Sequence, residues 1–376
     1  MTIDTLISKV KSWPNKDQTL LLKAALSKDK SAIEAWEQWC SKVDFENTDN
    51  GSYRLYPLVY RNLTDMGVKS DTTLERCKGV YRYYWAYSHQ LFQKSEVIIK
   101  ELMDADIPVL ILKGTPLALN YYNNLATRPL NDIDIMVSHT HKTKTIEILE
   151  RNGFHAVFPI LKETFSWEHA KGFKNKDGFE IDLHLSLIAE NLNKEYQKTY
   201  WDQAELFEFQ GLKVLTTCAT DHLFHTIIHG VRHNDLSPIR WIVDAKMILD
   251  KGTIDWERFI TLAKENKLSV ALVTSLVYLK RHFITTIPKE VIDKLQQIPH
   301  SRIEEIEFIS KNKALQGIIH RIQTQWFYYS RASTSNSYYF PFSFLTYLKT
   351  KWWLPSIAHI PLYIGKALWR ITTSKD

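Results

Sequence analysis

Two short stretches, NDIDIMV at 131–137 and FEIDLHLSL at 179–187, alternate polar and aliphatic residues almost one by one. A period of two is satisfied by an extended strand, whose successive side chains leave opposite faces. Asp132 and Asp134 therefore share one face while Ile133, Ile135 and Val137 take the other. Glu180, Asp182 and His184 share a face in the same way. Outside residues 106–215 the apolar spacing is three and four. AIEAWEQWCSKV and TLERCKGVYRYYWAYSHQLFQKSEVIIKELMDAD carry no internal proline, and the chain is helical again after about Thr220. The expected fold is α+β. A small mixed-sheet core, 106–215, sits between an N-terminal all-helical lobe, 1–105, and a C-terminal helical lobe, 216–376.

Within the core, Ile107–Gly114 reads as a buried strand ended by glycine. TPLALNYY then has helical spacing, with Pro116 suited to a first turn. KTKTIEILERNG predicts an amphipathic helix closed by Gly153. Residues 154–158 and 165–173 read as further strands. Asp177-Gly178 and Gln210-Gly211 each predict a hairpin turn.

Composition narrows the class. Of 376 residues, 44% are hydrophobic and 24% charged, which excludes wholesale disorder. The three cysteines, Cys40, Cys77 and Cys218, are far apart and odd in number. They give neither a disulfide framework nor a CxxC knuckle, which fits a reducing cytosol. The first residues lack a signal-peptide core, and no apolar run reaches the ~20 residues of a membrane span. A cytoplasmic protein is expected. Charge is uneven. Residues 311–376 hold nine Lys or Arg against one acid, Asp376, so a formal total of +6 divides into +8 there and −2 on the rest. The same stretch has 14 aromatic residues. It is expected either to pack as the core of a helical lobe or to meet nucleic acid or an anionic membrane, which would make the protein membrane-peripheral.

Three pieces carry chemistry. Lys113-Gly114-Thr115 stands between a strand and a helix, where glycine lets an anion approach the backbone and helical N–H groups are unpaired. Lys113 adds a cation and Thr115 a hydroxyl. Asp132 and Asp134 repel each other on one strand face, and a hard divalent cation relieves that repulsion. If the strand carrying Asp182 lies beside them, Asp182 becomes a third carboxylate at one metal centre. Three carboxylates next to a phosphate-binding turn suit two Mg²⁺ ions, with Mn²⁺ a second candidate, and a triphosphate.

LILKGTPLA, RPLNDIDIMV and FEIDLHLSL resemble the core motifs of an uncharacterised bacterial nucleotidyltransferase family within the polymerase-beta-like superfamily. The resemblance spans roughly residues 20–260. It implies Mg²⁺-dependent transfer of a nucleoside monophosphate from NTP, ATP among the candidates, to an acceptor hydroxyl with release of pyrophosphate. Asp132, Asp134 and Asp182 match the catalytic metal ligands, and Gly114 and Thr115 the phosphate turn. Thr115 stands where the superfamily usually has serine, and the gap from Gly114 to Asp132 is longer than in its minimal pattern.

That gap contains Arg128, expected to reach the triphosphate as a planar cation. His222, His225, His229 and His233 recur on one side of a helix. That face is expected to border the nucleotide cleft, with His229 near base or acceptor, and no ligand set completes a zinc site there. Asn234–Pro238 reads as a turn capping the next helix. The acceptor is open: small molecule, protein or RNA. RNA is the alternative in which the basic tail holds phosphates, and a catalytically silent nucleotide-binding scaffold is the alternative outside catalysis.

Overall fold

The computed structural model describes residues 1–10, 12–158, 169–232, 239–284, 286–312, 317–335 and 344–373. Among them, seven strands form one mixed sheet: β1 (Leu110–Leu112), β2 (Asp132–Met136), β3 (His155–Ala156), β4 (Ala170–Lys174), β5 (Glu180–His184), β6 (Glu205–Phe209) and β7 (Leu212–Thr216). Their order is β3-β4-β5-β2-β1-β7-β6. The α+β class expected from the change of period is the class observed. β2 runs antiparallel to β1 and parallel to β5. A parallel pair requires a crossover, and the helix Lys142–Arg151 lies in that connection.

Both dipeptide turns close hairpins. Gln210 and Gly211 have φ of 51° and 79°, the pair of positive values that matches a two-residue loop to strand twist. The turn from β4 to β5 has Gly178 at φ 88°. β1 is shorter than the apolar run around it, since Pro108 has no N–H to give a ladder. After Pro116 the chain winds wide over Leu117–Tyr122, a π-type segment rather than a regular α-helix. The expected strand at 165–173 is represented by β4; its residues 165–168, and the expected turn 234–238, lie outside the described residues.

Both sheet faces are packed, and one of them also carries the acidic residues. Ile111, Ile133, Ile135, Ile181 and Leu183 share a buried cluster with Leu91, Phe92, Ile98, Ile99 and Leu102 of the 33-residue helix Thr72–Asp104. Each such side chain contributes about 1.5–3 kcal/mol on burial. On the opposite face Leu110, Leu112 and Met136 enter a larger cluster. That cluster joins Leu6, Trp36 and Leu63 from before the sheet to Phe224, Leu276 and Phe308 from after it. Trp13 stacks on Tyr278 with centroids 4.0 Å apart, and the Ser12 hydroxyl donates to Asn312 Oδ1 at 2.7 Å. The helices on the two flanks thus share one core, because the apolar stripes of both sets meet across the same sheet face. No helix among the described residues is long and apolar enough to cross a membrane.

Candidate active site

On the polar face of the sheet, β2 and β5 are in register: Asp132 opposite Glu180, Asp134 opposite Asp182, Met136 opposite His184. Period two puts Asp132, Asp134, Asp182 and His184 on one face, so the later aspartate lies directly beside the earlier pair. Room for Asp182 is left by Gly172 on β4, where a Cβ would stand 3.2 Å from Asp182 Oδ1. The facing atoms of Asp134, Asp182 and His184 lie within 4.8 Å of one another. Among the described residues, this is the group of carboxylate and imidazole donors spaced to hold a metal.

Lys113 ends β1 at φ 50°, a conformation that costs a non-glycine residue about 1–3 kcal/mol and persists where surroundings enforce it. Here the enforcement is electrostatic. Its ammonium donates to Asp134 Oδ1 and lies 3.1 Å from His184 Nε2, while His184 Nε2 lies 3.0 Å from Asp134 Oδ1. Burial opposes charge on Asp134, yet Lys113 and His184 hold its carboxyl well below the usual range. Burial also works against Lys113, but Asp134, Asp182 and Asp132 keep it protonated above its ordinary value. One cation does not balance three acids. Burial, and then the neighbouring Asp134 charge, push Asp132 up to about 6 and Asp182 up to about 7. Two carboxylates that resist ionising together, beside a third that is ionised, fit a site that gains from a hard divalent ion.

These shifts give a signed prediction. Well below pH 6 both Asp132 and Asp182 are neutral; well above pH 7 both are charged. A metal must displace those protons, so its affinity falls as pH drops. Titration with Mn²⁺ should show binding that strengthens from about pH 5.5 to 8, and a flat profile would contradict the assignment.

The facing wall is cationic. The acidic face and Arg54, Arg128 and Arg240 line one cleft of about 640 Å³, together with Lys113, Gly114, His225 and His229. Arg128 is not a solvated loop residue. It is 5% exposed, and its Nε and Nη2 donate to the two carboxylate oxygens of Asp244, each at 2.9 Å. Tyr122 donates to Asp244 Oδ1 at 2.6 Å. Nη1 of Arg128 is left beside Gly114, where a Cβ would meet it, and Leu130 Cδ2, at 2.6 Å. Gly114 is therefore needed at least for the close approach of Arg128, whatever else binds there. Arg240 donates from Nη1 to Pro129 O at 2.7 Å, and burial with the neighbouring Arg128 charge lowers it to about 10.

Thr115 is placed differently from the sequence expectation. The turn that presents Gly114 to the cleft directs Thr115 inward; it is 1% exposed, off the cleft wall, and its Oγ1 meets no partner among the described residues. On the helix Ala219–Gly230, His225 and His229 border the cleft with rings 5.7 Å apart, and His222 is buried edge-on to Tyr121, off the cleft wall. His233 lies outside the described residues. Arg54, in the turn before the helix Tyr56–Asp65, and Arg240 and Asp244, on the helix Arg240–Lys251, carry no local sequence signal for this site, being brought in from distant parts of the chain. His184 was visible in the alternation, as the residue two beyond Asp182.

Solved structures and a family model show likeness to parts of this chain. The solution structure of the antibiotic-resistance factor ANT(2'')-Ia is similar at 12% identity, over 52% of this chain and 97% of that one, with a TM-score of 0.34. The crystal structure of an antigenic nucleotidyltransferase-like protein from Paracoccidioides brasiliensis is similar at 16% identity, over 57% and 96%, with a TM-score of 0.35. No curated protein matches the sequence. The model of the family described as uncharacterised nucleotidyltransferase matches residues 52–284, which include both acidic strands, the Lys113 turn and the arginine wall. With well over half its length so matched, the chain belongs to the uncharacterised nucleotidyltransferase family, and it is a nucleotidyltransferase.

Proposed function

We propose that the protein transfers a nucleoside monophosphate from an NTP to an acceptor hydroxyl and releases pyrophosphate. Residues 106–215 are the catalytic core in this reading, carried by the helical lobes 1–105 and 216–376. The observation that supports it most is the pairing of Asp134 with Asp182 on adjacent strands, across one cleft from three arginines. Mg²⁺ (two ions, or Mn²⁺ in their place), held by Asp132, Asp134 and Asp182, supplies charge neutralisation and alignment at the phosphates.

The chain's own groups do the rest. Arg54, Arg128, Arg240 and Lys113 offer cations to the triphosphate, with Arg128 presenting Nη1 while Asp244 fixes its plane. Before nucleotide enters, Lys113 keeps Asp134 ionised. Asp182, freed of its own proton when the metal binds, would take the proton of the acceptor hydroxyl. The acceptor oxygen then bonds to the α-phosphorus as the bond to the pyrophosphate oxygen breaks. His229 borders the space left for base or acceptor. The three free cysteines favour the cytoplasm as the place of action.

Incubation of the protein and Mg²⁺ with each of the four NTPs and a cell extract, followed by mass spectrometry, tests this reading. One acceptor should gain the mass of one nucleotide, which identifies base and acceptor together. If no acceptor gains it, and calorimetry finds no Mg²⁺-dependent NTP binding, the proposal fails.

A further inference from the structure

Residues beyond the cleft carry a second feature. The helices Gly317–Ser335, Phe344–Lys351 and His359–Thr373 gather around a small core of Tyr347, Leu348 and Ile360. Arg331 ties them to the body through Glu307, with Nη2 to Oε2 at 2.8 Å, and through Asn266 O at 2.7 Å. The inward side of the last helix is accounted for by Ile360, Tyr363 and Ile364. Its outward side is not polar. At 3.6 residues per turn, Pro361, Leu362, Gly365, Leu368 and Trp369 fall in an arc of about 120°. Leu362 is 63% exposed and Leu368 44%. Elsewhere in the same helices Ile319 is 75% exposed, and Leu345 is exposed as well. Beside that arc the exposed His359 and Lys366 form a narrow polar stripe, so the helix is amphipathic with its apolar side outward.

We propose that this C-terminal helical lobe docks on the surface of an anionic lipid bilayer. This goes beyond the transfer reaction and does not depend on it. Charge chooses the occupant. Residues 311–376 hold nine Lys or Arg against one acid; Lys311 and Arg331 are paired with Glu190 and Glu307 of the body, the rest of the stretch keeps a net positive charge, and Lys366 flanks the apolar arc. A basic, apolar helix lies in the headgroup region, its aliphatic side chains in the acyl boundary and its lysines among phosphates. A second copy of the chain would bring the same excess of positive charge and be repelled. RNA would satisfy the cations, but it offers nothing to Leu362, Leu368 and Ile319, since bases stack on aromatic rings rather than on aliphatic side chains.

Flotation of the full chain with vesicles of phosphatidylcholine, with or without phosphatidylglycerol, tests the proposal. The protein should float with the phosphatidylglycerol vesicles and much less with phosphatidylcholine alone. Leu362→Glu combined with Leu368→Glu should reduce co-flotation by about tenfold or more, because two aliphatic side chains no longer enter the acyl boundary. Both positions are exposed, so the melting temperature should hold, and the variant reports binding rather than unfolding. Lys349→Ala with Lys366→Ala should weaken flotation selectively on the anionic vesicles. Absence of co-flotation overturns the proposal, as does equal flotation of the glutamate variant. Retention on an RNA homopolymer without vesicle binding, or concentration-dependent dimers abolished by the glutamate pair, would overturn it in favour of those partners.

Discussion

Asp182→Asn should lose nucleotide transfer by about 10³-fold or more while remaining folded. The substitution keeps the shape of the side chain but removes its charge and its capacity to accept a proton. Charge stabilisation by a metal-bound site is worth several kcal/mol, and each ~1.36 kcal/mol is a decade in rate. Stability should move the other way. In the metal-free protein burial pushes this carboxyl from 3.8 up to about 7, so the folded chain binds its proton more tightly than the unfolded chain does. That contribution is present at low pH and is lost as pH rises through about 7. At about pH 8 in a chelator the asparagine variant should therefore melt no lower than the parent. A label-transfer assay beside a melting curve separates the two effects, and full transfer by this variant would remove Asp182 from the mechanism. Asp134→Ala is a poorer test, because it also strips Lys113 and His184 of their shared partner.

Asp244→Ala should cost about 3–5 kcal/mol of stability, the range for breaking a buried ion pair by removing one member. Arg128 would keep its guanidinium in a 5% exposed position with neither of its two carboxylate bonds, and the Tyr122 hydroxyl would lose its acceptor. The same variant should bind Mg²⁺ and NTP more weakly, since Arg128 is no longer oriented toward the cleft. Adding Arg128→Met should recover much of the stability, because the orphaned charge is gone, without recovering nucleotide binding. Denaturant midpoints and calorimetry read the two outcomes apart. A single-variant cost below about 1 kcal/mol would mean that the pair behaves like a solvent-exposed one, contrary to its burial.

The sheet and its acidic face were readable from local pattern. A period of two fixed which side chains share a face in β2 and β5, and the Asp-Gly and Gln-Gly turns marked both hairpins. What pattern could not supply was adjacency between β2 and β5, which depends on the order of strands rather than on any one of them. The cationic wall was harder still. Arg128 was visible as a loop residue, but its partner Asp244 lies far along the chain, and short-range spacing carries no trace of that pair. Lys113 looked like a phosphate ligand from its place before Gly114. Its pairing with Asp134 and His184 goes with a positive-φ backbone that residue type alone does not announce. Thr115 shows the limit in the opposite direction, since the helical turn Gly114–Pro116 directs its hydroxyl inward, away from the cleft.

The stacking of Trp13 on Tyr278 sets a timetable for biosynthesis. A ribosome adding about 5–20 residues per second needs on the order of 10–50 s to pass from one partner to the other. Throughout that interval Trp13, in the link between the helices Ile3–Lys9 and Lys16–Leu26, lacks the ring it stacks on. The amino-terminal packing is therefore completed only by a late segment well past the sheet, and termination before Tyr278 would leave the acidic strands synthesised but Trp13 without its stacking partner.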